Sequence, residues 1–561
     1  MDAIMALCKR RGFVYQASDI YGGINGFWDY GPLGAQLKKN LREAWWQDMI
    51  MNPCRGRRGP DGERVRCVPL ETCIIQHPRV WEASGHVAGF NDSMIEDKET
   101  KQRFRADHLI GVFAVPTEHE NHDLTRQQLQ AALLRCEPVP LIGTFASGNL
   151  ADAINVLLKP TTPNWKAYRS LKGIAAVSEA GPIVAIDLER VRDGRLFSAV
   201  CMPVPPWYLQ HHIDAVPSPF TGRCGALTPP RNFNLMFKTY VGATATEDDL
   251  VYLRPETAQG VFIHFKNVVD STRVRIPFGI GNTGRSFRNE VTPRNFTFRS
   301  REFEQAELEF FCHPDTSRDW YEFWRDFRLE WWRSLGLAGE NLRLREHDRD
   351  ELSHYSQGTC DVEYRFPFTA PDFGELEGIA HRGCFDLTQH QQHSGVKLDY
   401  FDQERGDQLP NGSRRGERYI PHCIEPAAGL DRGALALICE AYTLDPSRPS
   451  PELLRFHPRI APIKAAVFPL VNKDGMPEIA ERLHAELFAR FGREGFIETD
   501  AKQSIGKRYA RMDEAGCPFC FTIDGQTLQD QTVTVRDRDT GAQERIAIDK
   551  VSAYLSERLG L

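Results

Sequence analysis

Residues 287–311 read FRNEVTPRNFTFRSREFEQAELEFF. At the two-residue period of a β-strand, Arg299, Arg301, Gln305, Glu307 and Glu309 fall on one face, and Phe296, Phe298, Ala306, Leu308 and Phe310 fall on the other. Arg288 and Glu290 share a face, and Pro293 with Asn295 marks a turn, so the spacing predicts an antiparallel hairpin. One side of it is apolar and the other is crowded with guanidinium and carboxylate groups. Such alternation is the ordinary mark of a solvated amphipathic strand pair. Two features point to chemistry instead. Arginine dominates the charged face, and it suits bidentate phosphate contact and ring stacking. The carboxylates gather at one end, where a cationic amine fits.

Around this stretch the chain changes texture several times. Residues 33–50, LGAQLKKNLREAWWQDMI, set Leu33, Leu37, Leu41, Trp45 and Met49 at steps of four, with Lys38, Lys39, Arg42 and Glu43 on the other side. That pattern predicts an amphipathic helix, with Pro32 near its start. From about 106 to 230, proline clusters interrupt short apolar segments, as in an inserted module. From 459 onward, the strand-like KAAVFPLV and a helix carrying Ile479, Leu483 and Leu487 in register open an α/β unit. The expected divisions are 1–105, 106–225, 226–450 and 459–561.

The 561 residues, 41% hydrophobic and 26% charged, can fill about three or four domains and exclude a fibrous or disordered chain. No apolar run is long enough to span a membrane, and MDAIMALCKRRG lacks the pattern of a secretory signal, so a cytoplasmic protein is expected. With 69 basic and 76 acidic residues the net charge is −7, so nucleic acid would have to be met by local patches. The 14 cysteines include one Cys-x-x-Cys, Cys517 and Cys520, with no second pair at zinc-ligand spacing. His354 and His381 read as structural or surface residues rather than bases.

The Phe-Arg-x-Glu of 287–290, followed by Arg299 and Phe303, resembles motif 2 of class II aminoacyl-tRNA synthetases, and HCIEPAAGLDRGALALI (422–438) resembles motif 3. CKRRGF (8–13), DYGPLG (29–34), WEASGH (81–86), RNFNLMFKTYVG (231–242), RPETAQGVF (254–262), SHYS (353–356) and GELEGIA (374–380) are similar to the dimeric type of glycyl-tRNA synthetase. SIGKRYARMDEAGCPF (504–519) and DQTVTVRDRDT (530–540) are similar to its anticodon-binding domain. The resemblance covers roughly 1–105 and 218–561. It implies an α+β fold: a class II catalytic domain on an antiparallel sheet flanked by helices, with a C-terminal α/β anticodon-binding domain. It further implies ATP with Mg2+, glycine and tRNA(Gly) as partners, and a homodimer without a membrane anchor.

The resemblance also assigns residues. Arg288 and Arg432 are the catalytic arginines, the first on the α-phosphate and the attacking carboxylate, the second on the γ-phosphate. Glu290 is expected on the adenine amino group and Phe303 against its ring, with Asn289 beside them. Phe298, Arg299, Ser300, Arg301 and Glu302 continue the ATP-binding segment. Glu375 and Leu376 match further ATP contacts, Glu375 with a carboxylate for magnesium, and Gly429, Leu430 and Asp431 lead to Arg432. For glycine, which offers only an ammonium and a carboxylate, Glu256, Glu307 and Glu425 match the acidic contacts and Arg105 a distal cation. The flanking positions Phe303, Glu304, Gln305 and Ala306, and Pro426, Ala427, Ala428 and Gly429, complete that match. In the C-terminal domain, Lys507, Arg508, Arg511, Arg536 and Arg538 are candidates for an anticodon stem.

Three departures stand out. Members with a zinc-binding insertion carry two Cys-x-x-Cys pairs. Here the corresponding positions are Asp97 and Thr100, and Ser218 and Thr221, so the zinc site is expected to be lost. The family's Glu-Pro-Ser is Glu425-Pro426-Ala427 here, and residues 106–217 match nothing. A non-catalytic RNA-binding relative would be expected to lose Arg288, Glu290 or Arg432, and all three are present. A class II ligase for another small amino acid is opposed by the RPETAQG segment.

Overall fold

The strand Glu302–Cys312 runs through the middle of a seven-stranded sheet. In order the strands are Leu342–Glu346, Gly358–Tyr364, Gly374–Gly383, His422–Gly429, Glu302–Cys312, Phe278–Phe287 and Cys67–Pro69. Every pairing is antiparallel except the last, where Cys67–Pro69 joins in parallel. This computed structural model describes residues 1–117, 141–146, 184–186, 196–243, 246–349, 352–353, 356–408, 414–448 and 450–560. His354 therefore lies outside the described residues, as does much of the 106–217 segment. The chain forms two compact units, 1–86 with 236–561, and 87–235.

In the first unit, one face of the sheet is closed by three helices. Pro32–Trp46 delivers Leu37, Leu41 and Trp45, and its continuation Gln47–Met51 delivers Met49, all four fully buried as their spacing predicts. Ser317–Ser334 adds Trp320, Trp324, Trp331 and Trp332, and Leu430–Ala441 adds Leu435 and Ile438. Against them lie Ala306, Leu308 and Phe310 of the central strand. Removing so much aromatic surface from water, at roughly 25 cal/mol per Å2, fixes which side of the sheet is core. Beneath it Arg328 Nε and Nη2 donate to Glu377 at 2.7 and 3.0 Å, and Trp332 Nε1 joins at 2.6 Å.

The second face is half covered by Ala258–Thr272 and Phe385–Ser394, which pack Phe262, Phe265 and Leu387 on Phe278, Ile280 and Phe311. The remaining half holds Gln305, Glu307, Asn282, Glu425 and Arg382. This corrects the hairpin expected from the sequence. The antiparallel pair is real, with Phe287 opposite Glu302, but residues 288–301 form its connecting loop rather than its strands. Pro293 offers no N–H to a ladder, and Asn295 and Phe296 both take positive φ near 60°. The charged face is also interior: Glu307 is 1% exposed and Glu309 is 0%.

Residues 463–560 of the same unit build a five-stranded sheet ordered Phe496–Thr499, Ile463–Pro469, Phe519–Ile523, Thr532–Asp537, Gln543–Ala547. The first three strands are parallel and the last two antiparallel. Helices Met476–Phe491 and Val551–Leu559 bury Leu483, Leu487 and Leu555 against it. Cys517 and Cys520 lie in the core on the other face, with Ile463, Phe468 and Met512.

The second unit has a three-stranded sheet of Arg231–Asn234, Asn91–Glu96 and Arg103–Arg105. Its apolar cluster includes Ile95, Phe104, Leu109, Leu209 and Leu227. No helix of the described residues is long and apolar enough to cross a membrane.

Candidate functional site

The acidic pocket is assembled from four stretches of chain. Glu307 of the central strand stands opposite Asn282 on one side and Ala427 on the other, and Ala427 in turn faces Gly378. Glu425 is opposite Ala380, so Glu307, Glu425, Ala427 and Arg382 share the sheet face turned away from the tryptophan-rich helices. Glu256 arrives on the loop before Ala258–Thr272, and that loop is anchored by Arg254, whose Nε donates to Arg285 O at 2.7 Å and Nη1 to Thr72 O at 2.8 Å.

Each carboxylate has its own support. Glu256 is 3.3 Å from His86 Nε2 and accepts from Gln259 Nε2 at 3.0 Å. Burial opposes its ionisation, but the His86 ring and Arg382 outweigh that and hold it well below the usual carboxylate range. Glu307 accepts from Thr257 N at 2.9 Å, from Thr257 Oγ1 and from Gln305 Nε2 at 2.6 Å. Burial, then the charge of Glu256, pushes it up. Glu425 accepts from Arg382 Nη1 at 2.5 Å, while Arg382 Nε and Nη2 grip Asp386 at 2.8 and 2.9 Å. Gln259 closes the network by donating to Asp386 at 2.9 Å. A group of buried acids held this way is built to receive a cation.

An arginine arm adjoins the pocket. Arg288 lies over the Phe303 ring at 5.3 Å and donates from Nε to Pro255 O at 3.1 Å. Arg432, in the first turn of Leu430–Ala441, lies over Phe298 at 4.6 Å and reaches Glu375 Oε1 at 3.0 Å. The fields of Arg432, Arg288 and Arg299 together lower the carboxyl of half-exposed Glu375, against partial desolvation. Three guanidinium groups thus converge beside two aromatic rings, an arrangement suited to a polyphosphate with a planar base.

Residues 238–442 match the model of the tRNA synthetase class II core domain (G, H, P, S and T), and residues 464–558 match the anticodon binding domain. The chain is 44% identical to the glycine–tRNA ligase of Rhodopirellula baltica, over all of this chain and 99% of that one. It is 41% identical to that of Staphylococcus saprophyticus and 40% to that of Thermobifida fusca, covering all of this chain and 99% and 98% of theirs. The chain belongs to the glycine–tRNA ligase family.

Among the glycine–tRNA ligase positions read from sequence, the structure brings together Glu256, Gln305, Glu307, Glu425 and Ala427 on one side, and Arg288, Phe298, Arg299, Phe303, Glu375 and Arg432 on the other. Several others are turned away. Glu304 faces the opposite side of the sheet, where it pairs with Arg42 and with Lys38 at 3.2 Å. Asp431 accepts from Lys38 at 2.8 Å and from Glu304 N at 2.6 Å, so Lys38, placed by periodicity on a polar surface, is buried. Ala306, Leu376, Ala428 and Leu430 point into the core and leave only backbone to a ligand. Arg301 donates to Asn25 O at 2.7 Å and Glu290 O at 2.9 Å, tying two loops together. Ser300 and Glu302 are held locally, by Glu302 O at 3.1 Å and Arg285 at 2.6 Å. Glu290 lies 3.9 Å from Arg299, and Asn289 lies in the connecting loop next to Arg288. Gly429 ends the strand His422–Gly429, and Pro426 is buried on the core side of that strand, opposite Ile379. Arg105 belongs to the second unit, paired there with Asp92 at 3.1 Å and Asp107 at 2.6 Å.

Sequence reasoning missed Arg382, His86, Thr257, Gln259 and Asp386. The segments WEASGH and RPETAQG contain three of them, but nothing local says that His86 meets Glu256. His381, the neighbour of Arg382, is buried, and its ring is pushed down to about 4 by that burial and by His422.

The C-terminal arginines also need correction. Arg508 is spent on Pro469 O and Asp500 O at 2.7 Å each, and Arg538 on Gly516 O at 2.9 Å and Phe456 O at 2.8 Å. Arg536 is bidentate to Asp513 at 2.7 and 2.8 Å, and Arg511 pairs with Asp500. Of the five, only Lys507 is exposed without a carboxylate partner among the described residues.

At the four zinc-equivalent positions, Ser218 Oγ donates to Asp97, which also accepts from Glu99 N and Thr100 N at 2.8 Å. Ser218 Oγ accepts from Phe220 N and Thr221 N at 3.1 and 3.2 Å. Hydroxyls and one carboxylate engaged with each other do not fit a tetrahedral zinc centre.

Proposed function

We propose that this chain joins glycine to ATP as glycyl-adenylate and then passes the glycyl group to the 3′-terminal adenosine of tRNA(Gly). The observation that carries this reading is the buried trio Glu256, Glu307 and Glu425 beside the arginine arm. The trio takes the ammonium, and the sheet floor at Ala427 and Gly378 leaves the amino acid's Cα against backbone. The glycine carboxylate then attacks the α-phosphorus of magnesium–ATP, and pyrophosphate leaves. Arg288 spans from the pocket to that phosphorus. Arg432 and Arg299 bind the departing phosphates. Half-exposed Glu375, paired here with Arg432, would be the carboxylate to hold a magnesium ion accompanying the ATP, whose charge would help neutralise the phosphates. The substrate carboxylate is already ionised, so activation needs no general base. In the second step the ribose hydroxyl attacks the carbonyl, and AMP leaves.

The tRNA reading extends to the C-terminal domain. Its parallel strands end together where Asn472 Nδ2 donates to Ala501 O at 2.9 Å. There Leu470 and Val471 are exposed, as are Lys473 in the same loop, Lys502 in the loop after Phe496–Thr499 and Lys507 in the first turn of Ile505–Ala515. Ligands of open α/β sheets bind at such strand ends. Cations beside apolar and amide side chains suit the unstacked bases of an RNA loop. A cytoplasmic homodimer belongs to the same proposal and rests on the resemblance.

Amino-acid-dependent ATP–pyrophosphate exchange across a panel of amino acids tests the reading. Glycine is expected to be the only efficient substrate. Arg288→Ala and Arg432→Ala are each expected to lower exchange by about 10²-fold or more, as loss of a preorganised charge donor does. Near-normal exchange in both variants refutes the assignment.

A further inference from the structure

Two residues along the strand from Glu307, on the same face, stands Glu309. It is fully buried, and neither carboxyl oxygen has a hydrogen-bond partner among the described residues. The ladder places it beside Glu425, since Glu307 pairs with Ala427 and Phe310 with Ile424. The groups that face it are Glu307 on its own strand, Glu425 and Cys423 on the neighbouring strand, Arg382 on the next, and Glu256 on the loop above.

Those neighbours differ from it in one respect. Glu256 has His86 and Gln259, Glu307 has Thr257 and Gln305, and Glu425 has Arg382. Glu309 has no donor, and Arg382 is already shared between Glu425 and Asp386. An ionised carboxylate stripped of water, without donors and among other anions, is untenable, whereas a neutral acid is tolerated. Burial and the charges of Glu307 and Glu425 all push its carboxyl well above the usual range.

We propose that the acidic cluster carries one proton on Glu309 and exchanges it for the substrate's ammonium group when the amino acid binds. This rests on the glycine-binding reading above. The arriving ammonium brings the positive charge and donors that the cluster lacks. The Glu309 O–H bond then breaks heterolytically, its electron pair stays on the carboxylate, and the proton passes to solvent. Around the carboxylates positive charge is conserved, since the ammonium enters as the proton leaves, while the glycine carboxylate, the negative half of the zwitterion, is met by Arg288 at the pocket's margin. The titration belongs to the whole cluster, since burial also pushes Glu307 up and Glu425 up to about 8. Glu309 is its proton-bearing member because it alone has no donor among the described residues.

Isothermal calorimetry of the full-length protein with glycine, in two buffers of different ionisation enthalpy near pH 7.5, reads the exchange directly. About one proton is expected to be released per glycine bound, so affinity rises up to about tenfold per pH unit while glycine itself stays protonated. Glu309→Gln cannot release this proton. It is expected to bind glycine with a buffer-independent enthalpy, a flat pH profile and about tenfold weaker affinity at the alkaline end. Wild-type binding without proton release overturns the proposal, and so does undiminished release in Glu309→Gln. Absence of glycine binding by the wild type would instead overturn the glycine reading itself.

Discussion

Ala427 lies between Glu307 and Gly378 across the ladder, on the open face of the sheet. The family resemblance puts a serine there, whose hydroxyl would add one hydrogen bond to a bound amino acid. A neutral hydrogen bond is worth about 0.5–1.5 kcal/mol net, a factor of roughly 2–12 in affinity. Ala427→Ser is therefore expected to lower the glycine KM within that range and leave kcat nearly unchanged, as measured by pyrophosphate exchange. Lost methyl volume is a weak filter, worth only about 1–3 kcal/mol per methylene, so in the proposed site the exclusion of alanine would rest on the backbone at Gly378 and on the placement of the carboxylates. A rise in KM on restoring the serine would show that the hydroxyl is excluded from this pocket.

At the scale of elements, the junction between Pro32–Trp46 and the C-terminal sheet is held by polar contacts. Asn40 Nδ2 donates to Ile460 O and Ala461 O at 3.2 and 3.0 Å, and Arg459 reaches Asp48 at 2.7 Å. In the first C-terminal strand, Lys464 is 2% exposed, with Nζ donating to Pro458 O and Arg459 O at 3.0 and 2.8 Å. Burial, reinforced by Lys39 and Arg459 and opposed by Glu494, pushes its amine down to about 7. The unfolded lysine titrates near 10.4. Between those values the unfolded chain binds more protons, so this residue adds stability as pH rises from about 7 towards 10, by up to about 1.4 kcal/mol per unit. Wild type should gain on Lys464→Met across that window in urea unfolding. A difference that does not change with pH would show that the amine is not depressed. The sequence makes such elements visible only where the pattern is local. The stripe Leu37, Leu41, Trp45 and Met49 declares its helix, and Glu307 with Leu308 declares a two-sided strand. Lys38 and Glu304 look like surface charges until Asp431, far along the chain, is brought to them. Arg382 and His86 were illegible for the same reason: their roles exist only in the register between distant strands and loops.

At the scale of the whole molecule, the proposed amino-acid site and the proposed RNA surface are separated along the chain. The acidic pocket and arginine arm lie on one sheet, and the exposed lysines on the edge of another. The arginines that first suggested an RNA surface are consumed in holding Ile505–Ala515 to its neighbours, through Arg508 to Asp500 O and Arg536 to Asp513. Sequence cannot tell a cation that braces a loop from one that waits for phosphate. At the ends of the parallel strands the exposed cations are Lys473, which lies 3.7 Å from the exposed Asp474, Lys502 and Lys507, with Leu470 and Val471 also exposed there. Each cation that neutralises a phosphate contributes about 0.7–0.9 to the slope of log K against log salt. Replacing all three by alanine is therefore expected to flatten that slope by about 2 and to raise the tRNA KM for charging. Pyrophosphate exchange, which needs no tRNA, is expected to stay at the wild-type rate, since all three belong to the C-terminal sheet region and not to the seven-stranded sheet that carries Glu307. Equal losses in exchange and charging would make these lysines structural. Unchanged charging with an unchanged salt slope would move the RNA contact to another face of the domain.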